Sequence, residues 1–242
     1  MRYAAQLATA LFFAFVGVAS AEPLRIMIDP GHTDAQGGAL GVRGIYEVRY
    51  NDTLAGQVRE ALRAAGFDVR MTRAPGQNIG LAERAQAAND LHADLFLSIH
   101  HDSAQLRYLE KISVDSHDTY RTVRPIAGYS IFVSQLNPRF GSANVFAQML
   151  GDEMLKLGRP PTLHHAEPIA GENRELLDRT RGIYRFDDLV VLKKTTMPAV
   201  LLEVGVIVDT VDEAYVSAPQ NQARIVQAIV SAVRRYATAS LR

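Results

Sequence analysis

The sequence of 242 residues contains no cysteine. Disulfide bonds, thiolate zinc sites and cysteine nucleophiles are therefore excluded, and the fold must be stabilised by packing. The side chains that remain for strong metal binding are those of His, Asp and Glu. This limits the chemistry that can be assigned to the 7 histidines.

The sequence also lacks an excess of charge of either sign, because 26 Lys and Arg residues balance 26 Asp and Glu residues. Nucleic acids and anionic membrane surfaces are bound largely through clustered positive charge. The composition therefore indicates neither partner. A polymeric substrate would have to be recognised through local contacts.

Residues 1–21, "MRYAAQLATALFFAFVGVASA", form the longest apolar segment and end in the small-x-small pattern that signal peptidase cuts. The apolar part is short for a membrane span of about 20 residues, and no basic stop-transfer segment follows. A cleaved signal peptide is therefore favoured over an uncleaved anchor. We predict an exported chain that begins near Glu22 and has no stable membrane anchor after cleavage.

The rest of the chain alternates between strand and helix patterns and shows no internal repeat or low-complexity linker. This alternation predicts one α/β domain over residues 22–242, with a twisted, mostly parallel sheet and helices on both faces. Strands are expected at "LRIMID", "FDVRMT", "DLFLSI", "YSIFV", "DLVVL" and "AVLLEVGVIV". Helices are expected at Val48–Ala65, "IGLAERAQAANDLH", Ser142–Leu157 and "QNQARIVQAIVSAVRRY".

Four polar residues follow or interrupt these elements. His32 comes after the first strand, His100 ends the third, Glu203 lies inside the last strand, and Glu47 precedes the first helix after a glycine-rich loop. The carboxyl ends of parallel strands meet at one edge of an α/β sheet, where ligands bind. Two imidazoles and two carboxylates could therefore converge there.

Each of these residues also has a simpler interpretation. A single His at a strand end is usually a hydrogen-bonded, partly exposed residue, and Glu47 is a favourable charge at a helix N-terminus. Glu203 is different, because an unpaired carboxylate in an apolar strand costs roughly several kcal/mol. A salt bridge or a catalytic site could compensate, and convergence of all four residues favours a site with His32, Glu47 and His100 around zinc.

Six segments of the sequence carry a family resemblance. They are "IMIDPGH" with His32, "GIYEVRYN" with Glu47, "TR" at Thr72-Arg73, "LAERAQAAN", "LFLSIHHD" with His100 and "MPAVLLEVG" with Glu203. In order and spacing they resemble the zinc-dependent N-acetylmuramoyl-L-alanine amidases, which cut bacterial cell-wall peptidoglycan. The resemblance extends over nearly all of the chain after residue 21.

The resemblance implies that His32, Glu47 and His100 bind Zn²⁺ and that Glu203 is the catalytic carboxylate. The reaction implied is hydrolysis of the amide bond between N-acetylmuramic acid and L-alanine, which releases stem peptides. The enzyme would act in the periplasm or at the cell wall, with peptidoglycan as its partner. His101 would be a neighbour of the site at the rim of the cleft, with a substrate contact as one role.

The connection Gly158–Arg185 is longer than a compact domain usually contains without a functional reason. Some members of the family have an insertion here that covers the zinc until an activator protein moves it. By analogy, residues 163–186 could be autoinhibitory, or they could be a solvated loop with charge pairs. For His164-His165 we expect exposed polar residues, with a second metal site as the alternative. If residues 163–186 are autoinhibitory, the carboxylates that could reach the zinc are Glu167, Glu172 and Glu175.

Two rival functions, from different classes, make different demands on the four site residues. A non-catalytic wall-binding protein predicts loss of at least one of the four site residues, and all four are present. An exported zinc peptidase that cuts within stem peptides needs the same polarised carbonyl, so residue types at the zinc do not separate it from an amidase.

Overall fold

A seven-stranded sheet forms the centre of the computed structural model, which describes residues 22–240. The predicted signal peptide, residues 1–21, lies outside the described residues. Along the chain the elements are β1 (Arg25–Pro30), α1 (Glu47–Ala64), β2 (Asp68–Met71), α2 (Leu81–Asp90), β3 (Leu95–Asp102), β4 (Leu109–Val114), β5 (His117–Thr122), β6 (Ser130–Val133), α3 (Phe140–Lys156), β7 (Leu176–Asp178), β8 (Ile183–Arg185), α4 (Val190–Lys194), β9 (Ala199–Val206), α5 (Thr210–Ser217) and α6 (Pro219–Ser240).

The sheet has the strand order β2-β1-β3-β9-β6-β8-β7, and β4 and β5 form a separate hairpin. Strands β2, β1, β3 and β9 are parallel to one another, as are β6 and β8. The antiparallel pairs are β6 with β9 and β7 with β8. The predicted α/β fold with a mostly parallel sheet is therefore confirmed.

Two apolar clusters cover the two faces of the sheet. On one face α1, α3 and α6 pack against alternate residues of the central strands, including Leu97 and Leu202. On the other face the shorter helices α2 and α4 pack near Phe96 and Leu201. Side chains alternate between the two faces along a strand, so consecutive polar residues at a strand end lie on opposite faces of the sheet.

The strand predicted at "DLVVL" is wrong, because this segment forms α4, Val190–Lys194. A short apolar run does not distinguish a buried helical turn from a strand. Val191 and Leu192 are buried in the cluster beneath α2, and the two strands that pair with β6 are β8 and β9.

The two connections without a predicted strand each contain a strand pair. Hairpin β4–β5 lies within residues 104–128, and β7 with β8 lies within residues 158–185. Helix α5 was also missed, although Asp209 caps it by accepting hydrogen bonds from the backbone N–H groups of Val211 and Asp212. Among residues 22–240, no helix is both long and apolar enough to cross a membrane.

Candidate active site

Three of the predicted site residues meet at the carboxyl ends of β1 and β3. Glu47 Oε2 lies 2.9 Å from His32 Nε2, and Glu47 Oε1 lies 3.0 Å from His100 Nδ1. The three side chains offer ligand atoms that all lie within 4.8 Å of one another. Glu47 is buried, whereas both imidazoles are partly exposed. The cluster is therefore open to solvent on the imidazole side.

His32 is held in a backbone conformation that residues other than glycine rarely adopt, with φ of 61°. The guanidinium of Arg84, from α2, fixes this turn by donating hydrogen bonds to Pro30 O at 2.7 Å and to His32 O. Arg84 also forms a buried ion pair with Asp29, at 3.1 Å. Asp29 Oδ1 and Oδ2 additionally accept hydrogen bonds from the hydroxyls of Thr72 and Ser98.

Glu47 is the first residue of α1, not the residue before it as predicted. Its carboxylate accepts hydrogen bonds from Asn51 Nδ2, and from the backbone N–H groups of Ala39 and His101. Burial raises the pKa of Glu47, but the hydrogen bonds and charges of His100 and His32 outweigh burial, and the pKa lies well below its usual value. Glu47 is therefore an ionised carboxylate.

Two glycines allow the backbone to approach these side chains closely. A Cβ atom on Gly38, which has φ of 77°, would come within 3.0 Å of Glu47 Oε2 and of the His32 ring. A Cβ atom on Gly31 would overlap the His100 ring in the same way. The glycine-rich loop after β1 therefore forms a tight wall around the three side chains.

Glu203 lies beside this cluster, because β9 pairs Glu203 with His100 of β3. Its Oε2 atom is shielded from solvent and has no hydrogen-bond partner. Burial and the negative charges of Asp102 and Glu47 raise the pKa of Glu203 well above its usual value. The predicted salt-bridge alternative is not supported, because Glu203 forms no ion pair with any side chain that the structure describes.

His101 does not lie at the rim of the cleft, so that expectation is wrong. Successive side chains of β3 point to opposite faces, and His101 is buried against α1, with Nδ1 2.8 Å from Asn51 Oδ1. Burial lowers the pKa of His101 to about 3. A neutral His101 supports Asn51, which in turn donates to Glu47.

The histidines of the long connection are also placed differently from the expectation, since His164 and His165 are buried rather than exposed. They lie in a short 3-10 helix that folds under Asp102. The three glutamates of this segment are all paired away from the His32 cluster. Their partners are Arg124 for Glu167, His165 for Glu172 and Arg185 for Glu175.

The residues that position the site were missed in the sequence. Arg84 lies inside the quoted segment "LAERAQAAN", but nothing in that pattern shows that its guanidinium reaches the turn before His32. The carboxylate of Asp29 and the amide of Asn51 were likewise indistinguishable from ordinary polar residues. Their roles depend on contacts between elements that are distant in sequence.

The donor set fits a divalent metal ion. Two imidazole nitrogens and one ionised carboxylate are ligands that zinc accepts, and a set of three leaves a fourth position for water. The shielded, unpartnered Oε2 of Glu203 beside them is also explained by a nearby cation. Fold and site together define an α/β protein with a candidate metal centre at the strand ends.

Comparison with known proteins identifies the family to which this α/β protein belongs. The family model of the N-acetylmuramoyl-L-alanine amidases matches residues 26–235. The chain belongs to this family, and the resemblance found in the sequence is confirmed.

Individual relatives agree with the assignment. N-acetylmuramoyl-L-alanine amidase AmiA of Salmonella typhimurium is 26% identical over 226 residues, covering 87% of this chain and 75% of that protein. AmiC of Neisseria meningitidis is 26% identical over 227 residues, covering 89% of this chain and 53% of that protein. The chain thus spans about half the length of AmiC.

A solved structure shows the same fold. The catalytic domain of CwlV, an N-acetylmuramoyl-L-alanine amidase from Bacillus (Paenibacillus) polymyxa var. colistinus, superposes with a TM-score of 0.66 at 25% identity. The match covers 89% of this chain and 98% of that domain. The described residues therefore share the fold of that domain over nearly its whole length.

Proposed function

We propose that this protein is a zinc-dependent amidase that hydrolyses the bond between N-acetylmuramic acid and L-alanine in peptidoglycan. The observation that carries the proposal is the convergence of His32, Glu47 and His100 beside the unpartnered carboxyl of Glu203. Membership of the amidase family and the names of the relatives support the substrate.

His32, Glu47 and His100 would hold the zinc ion. When bound, zinc polarises the amide carbonyl and lowers the pKa of water from 15.7 to about 7. The ionised state of Glu47 suits this role, because its charge attracts the cation without first having to lose a proton. Asn51 and the His101 backbone fix the Glu47 carboxylate through hydrogen bonds of 3.0 and 3.1 Å.

Glu203 would move the proton. Its Oε2 accepts a proton from the attacking water, while the water oxygen forms a bond to the amide carbon. The same carboxyl then donates that proton to the leaving nitrogen of L-alanine as the carbon–nitrogen bond breaks.

Export of the chain follows from the same proposal. Peptidoglycan lies outside the cytoplasmic membrane, and the predicted signal peptide at residues 1–21 would deliver the chain to the periplasm or cell wall. An activator protein and an autoinhibitory role for residues 163–186 stay predictions. In the conformation described, Glu172 is paired with His165 and Gln105, so blocking of the zinc by Glu172 would require that these contacts break.

Product analysis tests the proposal. Purified peptidoglycan is digested with the chain from residue 22 onward, with and without a chelator, and the products are read by mass spectrometry. We expect chelator-sensitive release of intact stem peptides with free L-alanine amino termini. Cleavage within stem peptides would instead support the zinc peptidase, and binding without cleavage by zinc-loaded protein would support the non-catalytic wall-binding protein.

A further inference from the structure

A second cluster of histidine and carboxylate side chains lies beyond the end of β3. Asp102 Oδ2 is 2.8 Å from His165 Nε2 and 3.5 Å from His164 Nε2. These three side chains, like those of the first cluster, offer ligand atoms within 4.8 Å of one another. We propose that Asp102, His164 and His165 form a second metal site, which binds a divalent cation of the zinc class. This site is independent of the proposed function.

The hydrogen bonds around the two imidazoles are those expected of metal ligands. His164 Nδ1 lies 2.8 Å from Thr162 Oγ1, and His165 Nδ1 lies 2.9 Å from Glu172 Oε2. Metal-binding histidines commonly donate their second ring N–H to an oxygen in this way, which fixes the tautomer and the ring orientation. With Nδ1 engaged in this way, Nε2 is the ring nitrogen that each histidine would offer to a cation, and in both rings it faces Asp102 Oδ2.

His164 supplies the observation that the surrounding protein does not explain. Its side chain is 3% exposed, and its Nε2 atom is buried without a hydrogen-bond partner. A buried polar atom without a partner is unfavourable, because it has lost its hydrogen bonds to water. A cation bound to His164 Nε2 and Asp102 Oδ2 would give this imidazole nitrogen the partner that it lacks.

Aromatic rings pack against one histidine of the cluster, and the other histidine borders a cavity. The His165 ring packs edge-on against Phe132 and Tyr184, with ring centroids 5.0 and 5.6 Å apart. His164 lines a cavity of about 480 Å³ together with Leu163 and other residues of the loop. Metal sites need such preorganised ligands and an entry path.

A second metal would explain the length of the connection between α3 and β8. Asp102 lies on the strand that carries His100, whereas His164 and His165 belong to the connection. A cation shared by them would attach the loop to the strand of the candidate active site. In the absence of metal, the competing arrangement is a protonated His165 between Asp102 and Glu172.

Zinc stoichiometry tests the proposal. Metal-free protein from residue 22 onward is dialysed to equilibrium against zinc chloride, and bound zinc is measured by mass spectrometry. We expect two zinc ions per chain, with one remaining in His164→Gln and one remaining in His32→Ala. The control, His92→Asn, changes an exposed histidine that lies outside both clusters and should retain two. One zinc per chain in the original protein, unchanged in His164→Gln, would overturn the second site.

The stoichiometry separates this proposal from the proposed function. If His32→Ala binds no zinc while His164→Gln retains one, only the first cluster binds metal and the second site is refuted. If His164→Gln binds none while His32→Ala retains one, the second site stands and the zinc-dependent function fails. If the original protein binds no zinc, both the second metal site and the zinc-dependent function are refuted.

Hydrogen exchange provides a readout that does not depend on whether His164→Gln folds. In the His32→Ala variant only the second cluster can take up zinc. Addition of zinc chloride should slow amide exchange at least about tenfold in residues 162–176, because the metal attaches this loop to β3. Exchange that is unchanged by zinc would contradict the proposal.

Discussion

Replacement of Arg84 by Met is expected to weaken both the fold and the proposed metal site at His32. The Arg84 guanidinium is almost completely buried, forms an ion pair with Asp29 at 3.1 Å and donates to the carbonyl oxygens of Pro30 and His32. Removal of Arg84 leaves the Asp29 carboxylate buried without its cation. Removal also frees the turn that holds His32 at φ of 61°.

The expected changes in unfolding free energy and in zinc affinity follow from the loss of the ion pair and of the contacts to the turn. Breaking a buried ion pair by removal of one partner costs about 3–5 kcal/mol of unfolding free energy, because the other charge stays buried. The hydroxyls of Thr72 and Ser98 still donate to Asp29, so we expect the lower end of this range. Loss of a group that orients a metal ligand typically lowers metal affinity about 10–100-fold. We expect the zinc affinity of the site that contains His32 to fall by the same factor.

Two measurements check this prediction. Urea unfolding of metal-free protein gives the free energy, and competition with a chromophoric chelator gives the zinc dissociation constant. Arg234→Met, on the exposed side of α6, is the matched control and should change neither. In the double variant Asp29→Asn/Arg84→Met, part of the stability should return while zinc affinity stays low. Stability within about 1 kcal/mol of the original chain and unchanged zinc affinity would refute the reasoning.

Three further predictions concern the same site. Gly38→Ala should lose zinc from the first cluster, measured by metal analysis, because its Cβ would overlap Glu47 and His32; full zinc occupancy would contradict this. His101 has a pKa lowered to about 3, so in the unfolded chain it binds a proton below about pH 6.5 that the folded chain does not. Between pH 6.5 and 5 this removes about 2 kcal/mol of unfolding free energy, and His101→Gln should lose this part of the acid sensitivity in urea titrations. Glu203 has a raised pKa, so metal-free protein should lose stability as pH rises above about 4.5, and Glu203→Gln should be less sensitive over that range. Identical pH profiles for each variant and the original chain would contradict the last two predictions.

The positions of the first cluster could be predicted from the sequence because they follow from strand ends. His100 and His32 come directly after apolar runs, and the parallel strands β1 and β3 bring those ends together. Glu203 stood out because a carboxylate inside an apolar strand needs a partner. The alternation of side chains along β3 then separates His100, at the cluster, from His101, buried against α1. The sequence alone could not distinguish His100 from His101, because it does not show which face of the sheet each helix covers.

Other parts of the structure depend on contacts that a linear pattern does not contain. Residues 190–194 have the composition of a strand but lie under α2, where a helical turn buries Val191 and Leu192. The strands β7 and β8 are only three residues long, too short for a periodic pattern. Burial of His164 and His165 follows from the fold of the loop beneath Asp102, which local sequence does not specify.

The proposed mechanism assigns proton transfer to Glu203 and metal binding to His32, Glu47 and His100. The most direct test compares Glu203→Gln with the original chain, both loaded with zinc, in the release of stem peptides from peptidoglycan. The amide of Gln is close in size to the carboxyl but cannot accept the proton from water, so we expect unchanged zinc content and a loss of rate of about 10²–10⁴-fold. A zinc-loaded Glu203→Gln variant that releases peptides at the original rate would contradict the account.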